Sequence, residues 1–216
     1  YLNKDSVIYL FGVGEDITFD TYLSGLLDCK VHMFDPTPRS IEHIKEVKKV
    51  LDKTKEPIFN KRYGGGDVNY WDKIVSYNAK SENLLMYDYG LCTEDGNLNF
   101  YKPDNDEYVS HSLLEGMCSK DFITVQVKKI RTIMNELGHN HIDLIKLDIE
   151  GVECAVIHQM FDEGIYPTFI CIEFDIARNK QIDGVKIANK CLNRITTSGY
   201  QLIKRDNLDM SFIKIN

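Results

Sequence analysis

Two apolar runs end in carboxylates, and one of them also carries a lysine. The first reads Ile142-Asp143-Leu144-Ile145-Lys146-Leu147-Asp148-Ile149-Glu150-Gly151-Val152-Glu153, and the second closes on Glu173-Phe174-Asp175. Lys146 and Asp148 stand two apart, so in an extended strand they project from the same face. A lysine inside an apolar strand is costly unless it is paired. Asp148 or a neighbouring carboxylate is its natural partner, and Glu173 either reaches a ligand crevice or answers the same lysine. Asp148, Glu150, Glu173 and Asp175 together could hold a divalent cation through oxygen ligands or form an ion-pair network. Glu150 lies just before a helical segment, where its charge could serve only to favour the helix N-terminus. Asp148 is the first candidate for a general base or a metal ligand, and His111 in the segment Val109-Ser110-His111-Ser112-Leu113 is the second base candidate. A lone loop histidine is also often merely solvated. His139 and His141 flank a helix-to-strand turn and are expected to be structural or exposed.

A second constellation lies near the start of the chain. An apolar run over residues 7–11 enters Gly12-Val13-Gly14-Glu15-Asp16, and Asp35 ends the next short apolar run, 21 positions after Gly14. Glycines at a strand–turn–helix junction let a ligand approach the backbone. An acid at that spacing can bind both hydroxyls of a ribose. The pair points to a nucleoside-containing cofactor; a structural glycine turn and a surface Asp are the alternative. A pyrophosphate site would want a third glycine where Asp16 stands, and Glu15 with Asp16 would repel phosphate. The charge favours a cationic cofactor such as S-adenosylmethionine, which carries a sulfonium and an α-ammonium group.

The elements that must position these residues follow from periodicity. Buried strands are predicted over 7–11, 31–34, 84–87, 142–149 and 169–174, and a β-arm over 97–127 from alternating segments at 97–101 and 123–127. Helical spacing follows most strands, as in Phe19, Tyr22, Leu23, Leu26 and Leu27, or Ile130, Ile133, Met134 and Leu137 closed by Gly138. Residues 201–204 and 211–215 are predicted to close the sheet as an antiparallel pair. Strands alternating with helices imply an α/β fold with a mostly parallel sheet covered on both faces. Ligands then bind at the strands' carboxyl ends, near the switch in strand order. Residues 1–216 read as one domain, with no linker dividing them.

Composition narrows the function classes. The chain has 216 residues and a formal net charge of −7, which gives no whole-molecule attraction for phosphate backbones and argues against nucleic acid. The seven basic residues between 45 and 62 read as a solvated helix face, and Tyr70 and Trp71 as packing residues. No apolar run is long enough to span a bilayer, and no signal-peptide pattern opens the chain. The six cysteines are scattered without a CxxC pair, which disfavours a zinc ribbon and fits a reducing, cytoplasmic setting.

The run from Ile142 to Glu153 resembles the signature of FkbM-type methyltransferases, which places a lysine, an Asp, a Glu, a Gly and a second Glu at this spacing. Phe11-Gly12-Val13-Gly14-Glu15-Asp16-Ile17-Thr18-Phe19-Asp20 is similar to the cofactor loop of one branch of that family. Phe34-Asp35-Pro36-Thr37-Pro38-Arg39 resembles the end of its second strand, and the segment around His111 is similar to that branch as well. The resemblance implies a Rossmann-like class I fold, with a seven-stranded sheet and an antiparallel closing hairpin. It also implies S-adenosylmethionine as cofactor and methyl transfer to a hydroxyl, with a sugar or glycan as the preferred acceptor. By position it places Gly12, Gly14, Glu15 and Asp16 around the methionine end, and Asp35, assisted by Thr37, at the ribose. Asp88, Tyr89, Gly90 and Leu91 would border the adenine, and Asp148 with Lys146 and Glu150 would face the acceptor. Leu10 stands where the general pattern has an acid, and Asp16 where it has the third glycine. A cofactor-binding module without catalysis and an NAD-dependent oxidoreductase are the rival readings.

Overall fold

The computed structural model describes residues 1–57, 63–101, 122–149, 151–179 and 182–215. Its main sheet has seven strands: β1 (Ile8–Phe11), β2 (Val31–Phe34), β3 (Leu84–Tyr87), β7 (Leu144–Leu147), β8 (Phe169–Glu173), β9 (Tyr200–Asp206) and β10 (Asp209–Lys214). They run in the order β3-β2-β1-β7-β8-β10-β9. All pairings are parallel except those of β10, which is antiparallel to both β8 and β9. This is a Rossmann-like fold with an antiparallel closing hairpin, as the periodicity and the resemblance both led one to expect. The strand order reverses between β1 and β7, so the crevice belongs at the carboxyl ends of those two strands.

Alternation along β1 explains why the sheet is covered on both faces. Ile8 and Leu10 pack with residues of α1 (Thr18–Leu27), α2 (Pro38–Leu51) and α3 (Tyr70–Ser76). Tyr9 and Phe11 face the opposite layer, formed by α4 (Ile130–Leu137), α5 (Glu153–Asp162) and α6 (Gly184–Thr197). All four β1 side chains are buried, so the strand reads as a continuous apolar run.

Three local outcomes differ from the sequence reading. Helix α2 begins at Pro38, earlier than the helical spacing of Ile41, Ile44, Val47, Val50 and Leu51 predicts, because proline's missing N–H and fixed φ suit the first helical position. Helix α3 has no counterpart in that reading; Tyr70, Trp71 and Ile74 bury its inner face, so the aromatics do pack. The arm is more than a hairpin. β5 (Gly96–Tyr101) and β6 (Phe122–Lys128) pair antiparallel, and a two-residue strand, β4 (Gly90–Leu91), joins β6 in parallel to make a second sheet. A two-residue strand is too short to register as alternation.

The β1 turn and the end of β7 approach each other so closely that side chains are excluded. A Cβ on Gly12, whose φ is +74°, would lie 1.6 Å from the Asp148 carbonyl oxygen. Gly14 has a φ of +61° and open space around the same position. Gly12→Ala is therefore expected to cost at least about 2 kcal/mol, combining left-handed strain with a backbone collision. Gly14→Ala is expected to cost only about 1 kcal/mol, from the backbone conformation alone. Urea denaturation of the two variants checks this, and equal losses would contradict it.

Candidate active site

Strand β7 delivers Lys146 and Asp148 to the crevice. The Lys146 ammonium donates to Asp148 Oδ2 at 2.9 Å and to the Gly12 carbonyl at 3.2 Å. The Asp148 N–H in turn donates to the Phe11 carbonyl at 3.2 Å. Two residues on one face of one strand are thus tied to the turn of its neighbour. Burial pulls the Lys146 ammonium down, but the carboxylates of Asp148, Asp20 and Glu173 outweigh it and hold it above the usual lysine range. The lysine's direct partner is Asp148; Glu173 acts on it only through its charge.

At the end of β8, Glu173 accepts from Arg178 at 2.7 Å, and the same guanidinium meets Asp175 Oδ1. Asp175 is buried, and no hydrogen bond reaches its Oδ2 from the described residues. Asp148, Glu173 and Asp175 each offer an oxygen, and these lie within 4.8 Å of one another. Burial and then the charge of Asp148 raise the carboxyls of both Glu173 and Asp209 above the ordinary range.

Glu153 joins the two strand ends. It is fully buried, and its Oε2 accepts from the Gly151 N–H at 2.8 Å while Oε1 accepts from the Ile176 N–H at 2.8 Å. Burial raises its carboxyl, with the backbone donors opposing that rise. Glu153 appears in the signature motif, but its role escapes sequence reasoning because its partners are backbone N–H groups. The spacing of the second Glu after Gly151 is the signal that marks it.

The β1 turn is held by Asp35. Its Oδ2 accepts from the Gly14 N–H at 2.9 Å, and its Oδ1 accepts from the Thr37 N–H at 2.8 Å and the Thr37 hydroxyl at 2.6 Å. The carboxylate is thereby fixed beside the open space at Gly14. Glu15 belongs to the turn, but its carboxylate is buried against Arg39, with a 2.7 Å contact to Nη2. Asp16 is exposed and accepts from the Thr18 N–H and hydroxyl at the start of α1. That use is an Asx turn, a role for which glycine has no side chain. Arg39 lies within the quoted Asp35 motif, yet the pairing with Glu15 joins segments that no local pattern connects.

Beyond β3, Asp88 is exposed, while Tyr89, Gly90 and Leu91 are buried. The Tyr89 ring lies near Phe34 and Tyr87, and the Lys128 ammonium sits 4.2 Å from its centroid. Glu150 and His111 lie outside the described residues. His139 bonds the Tyr9 hydroxyl at 2.7 Å, and His141 is exposed beside Asp143, so both are structural or exposed as expected.

One further acid lines this region. Asp20, in the first turn of α1, is buried, and its Oδ1 has no hydrogen-bond partner among the described residues. Burial raises its carboxyl to about 6, with Lys146 opposing the rise and Asp16 and Asp148 adding to it.

Comparison with known proteins gives a definite family. Residues 10–175 match the family model of the methyltransferase FkbM domain. No curated protein gives a significant match. Among the described residues, no helix is long and apolar enough to cross a membrane.

Asp20 supplies a pH test. Its carboxyl titrates higher in the folded protein than the ordinary value of 3.8. The folded state therefore binds more protons than the unfolded chain between about pH 4 and 6, and stability falls as pH rises through that window. The deficit persists above it. Asp20→Asn is expected to raise unfolding stability at pH 7.5 by about 2 kcal/mol and to leave it nearly unchanged at pH 4. Urea denaturation of both proteins at the two pH values measures the difference.

Proposed function

We propose, from the premise that this chain belongs to the FkbM methyltransferase-domain family, that it moves a methyl group from S-adenosylmethionine to a hydroxyl oxygen of a sugar or glycan. The observation that carries the cofactor reading is the fixed Asp35 carboxylate beside Gly14, where nothing lies within 4 Å of a would-be Cβ. A ribose can enter that space, and Asp35 Oδ2 retains a lone pair for one of its hydroxyls. The carboxylates at the ends of β7 and β8 suit a cofactor whose reactive end is cationic, and Asp16 removes the glycine that a pyrophosphate would need. These residues fit the group.

In this reading Asp35 and Thr37 orient the ribose, and Asp88, Tyr89, Gly90 and Leu91 border the adenine. Gly12, Gly14, Glu15 and Asp16 shape the turn around the methionine end, with Glu15 acting through Arg39. S-adenosylmethionine, when bound, supplies an electrophilic methyl on a sulfonium. The protein has to align an acceptor oxygen and take its proton. Lys146 holds one oxygen of Asp148, which leaves Oδ1 for the acceptor hydroxyl. Asp148 would hold the proton that the acceptor hydroxyl gives up when its oxygen takes the methyl and the sulfur–methyl bond breaks to leave the neutral thioether. His111 is the second base candidate, and Glu150 faces the acceptor beside Asp148 and Lys146.

Residues 1–216 act as one domain in this reading, and the 97–127 arm selects the acceptor. A sugar hydroxyl suits a crevice whose carboxylates can accept from neighbouring hydroxyls. The acidic balance disfavours an RNA acceptor.

Calorimetry with S-adenosylhomocysteine tests the cofactor site. Asp35→Ala is expected to weaken binding by at least about 10-fold, as the loss of a charge-assisted hydrogen-bond acceptor requires. Tight NAD binding without any response to S-adenosylhomocysteine would overturn the assignment.

Labelled-methyl transfer to a panel of monosaccharides and glycans tests the chemistry. Asp148→Asn is expected to lower turnover by at least about 100-fold while S-adenosylhomocysteine affinity changes by less than about threefold. Near-normal turnover in that variant would remove Asp148 from its role. Cofactor binding with no transfer to any hydroxyl would favour the non-catalytic module.

A further inference from the structure

The carboxylates at the ends of β7 and β8 outnumber the cations that answer them. Asp148, Glu173 and Asp175 each bring an oxygen within 4.8 Å of the others. Asp209 stands opposite Glu173 in the β10 register. Lys146 pairs with Asp148, and Arg178 with Glu173 and Asp175. Among the described residues, four acids against two cations leave two negative charges in a small volume.

The buried state of Asp175 is a separate observation. The residue is only 5% exposed, and its Oδ2 has no hydrogen-bond partner among the described residues. Arg178 reaches Oδ1 alone. A buried carboxylate oxygen without a donor is costly and calls for a water or an ion. The same residue is one of the three whose oxygens converge, so this oxygen-bearing group is aimed into the cluster.

We propose that Asp148, Glu173 and Asp175 bind one divalent, oxygen-preferring cation of the magnesium or manganese kind. The ligand set is all carboxylate, with neither imidazole nor thiolate, which selects hard cations over zinc or copper. Each acid keeps one oxygen on a fixed cation or can do so. Asp148 Oδ2 is on Lys146, Glu173 Oε1 on Arg178 and Asp175 Oδ1 on Arg178, so each has a second oxygen for the metal, and Asp148 Oδ1 has two lone pairs, one for the metal and one for the acceptor hydroxyl. The bound charge would neutralise the surplus. Its catalytic use, polarising the acceptor hydroxyl beside Asp148, rests on the methyl-transfer reading; its occupancy does not.

The test uses the full chain freed of metal with a chelator and titrated with Mn2+ by electron paramagnetic resonance. One bound Mn2+ per chain, displaced by Mg2+, is expected. Asp175→Asn is expected to weaken it by at least about 10-fold and to abolish the Mn2+-dependent rise in Tm. In chelator alone the variant should melt no lower than the parent. Glu173→Gln is expected to show the same loss of Mn2+, which keeps the test open should Asp175→Asn not fold. No Mn2+ binding by the parent chain at millimolar concentration would overturn the proposal. So would unchanged Mn2+ affinity in both variants, with Asp175→Asn merely melting lower for want of its Arg178 pair. S-adenosylhomocysteine calorimetry in chelator reads the cofactor site separately, so failure of the methyl-transfer reading is distinguishable from failure of the metal site.

Discussion

The contact between the β1 turn and the end of β7 is the constraint on which the rest of this site depends. Parallel neighbours β1 and β7 are in register, with Leu10 opposite Lys146 and Phe11 opposite Leu147. The next step in each strand brings Gly12 onto Asp148 with no room for a side chain. Lys146 then bonds both the Gly12 carbonyl and the Asp148 carboxylate. One ammonium thus fixes the turn, the acid and the spacing between them. A lysine is suited to this because its three donors serve two acceptors of different kinds. Its position on a strand rather than a loop gives it a well-defined direction.

Two buried carboxylates extend that constraint sideways. Asp35 binds the Gly14 N–H and so carries the position of the β1 turn across to the end of β2. Glu153 binds the N–H groups of Gly151 and Ile176 and so carries the position of β7 across to the segment after β8. The carboxyl ends of four adjacent strands are therefore linked through side chains to backbone, in addition to the sheet ladder. Such bonds satisfy buried N–H groups in loops that have no strand partners. They also hold Asp148, Glu173 and Asp175 close together despite the charge repulsion among them.

Much of this was legible in the sequence, and the reasons for success and failure are physical. The period of two places Lys146 and Asp148 on one face, and the apolar cost of an unpaired lysine calls for a carboxylate partner, which the structure gives as Asp148 rather than Glu173. The 21-residue spacing from Gly14 to Asp35 corresponds to a direct hydrogen bond. The apolar runs of β1, β2 and β7 are buried at every position but His32 and Lys146, so their signal is strong, while β8 alternates between buried and half-buried positions. Strand β4 was not legible because two residues carry no period. Helix α3 was not legible because Tyr70 and Trp71 mark burial without specifying a helix. Glu15 reads as a cofactor-loop acid until Arg39 is seen beside it, and a pairing between two segments has no local signature. The Gly12 turn reads as a ligand approach, whereas the group that crowds Gly12 is the protein's own backbone and the open position is Gly14.

The acids around the crevice divide by how their oxygens are used. Glu15, Asp16, Asp35 and Glu153 accept from backbone N–H groups, hydroxyls or a guanidinium, and each holds a turn or a helix start in place. Asp20, Asp148 and Asp175 each keep an oxygen that no described residue answers. The first group can be understood from folding alone, since every bond it makes satisfies a donor the chain would otherwise leave wanting. The second group works against folding. Asp20 is pushed up to about 6 by burial, and burial followed by the Asp148 charge raises Glu173 and Asp209. Local conflict of this kind concentrates where a structure is shaped for a ligand. Lys146 is the residue through which the two groups meet. It is bonded to the backbone that the first group organises, and it feels the charge of Asp148, Asp20 and Glu173 in the second. The excess of negative charge in the chain as a whole thus has a local counterpart at the strand ends, where a cationic ligand would offset what the fold leaves uncompensated.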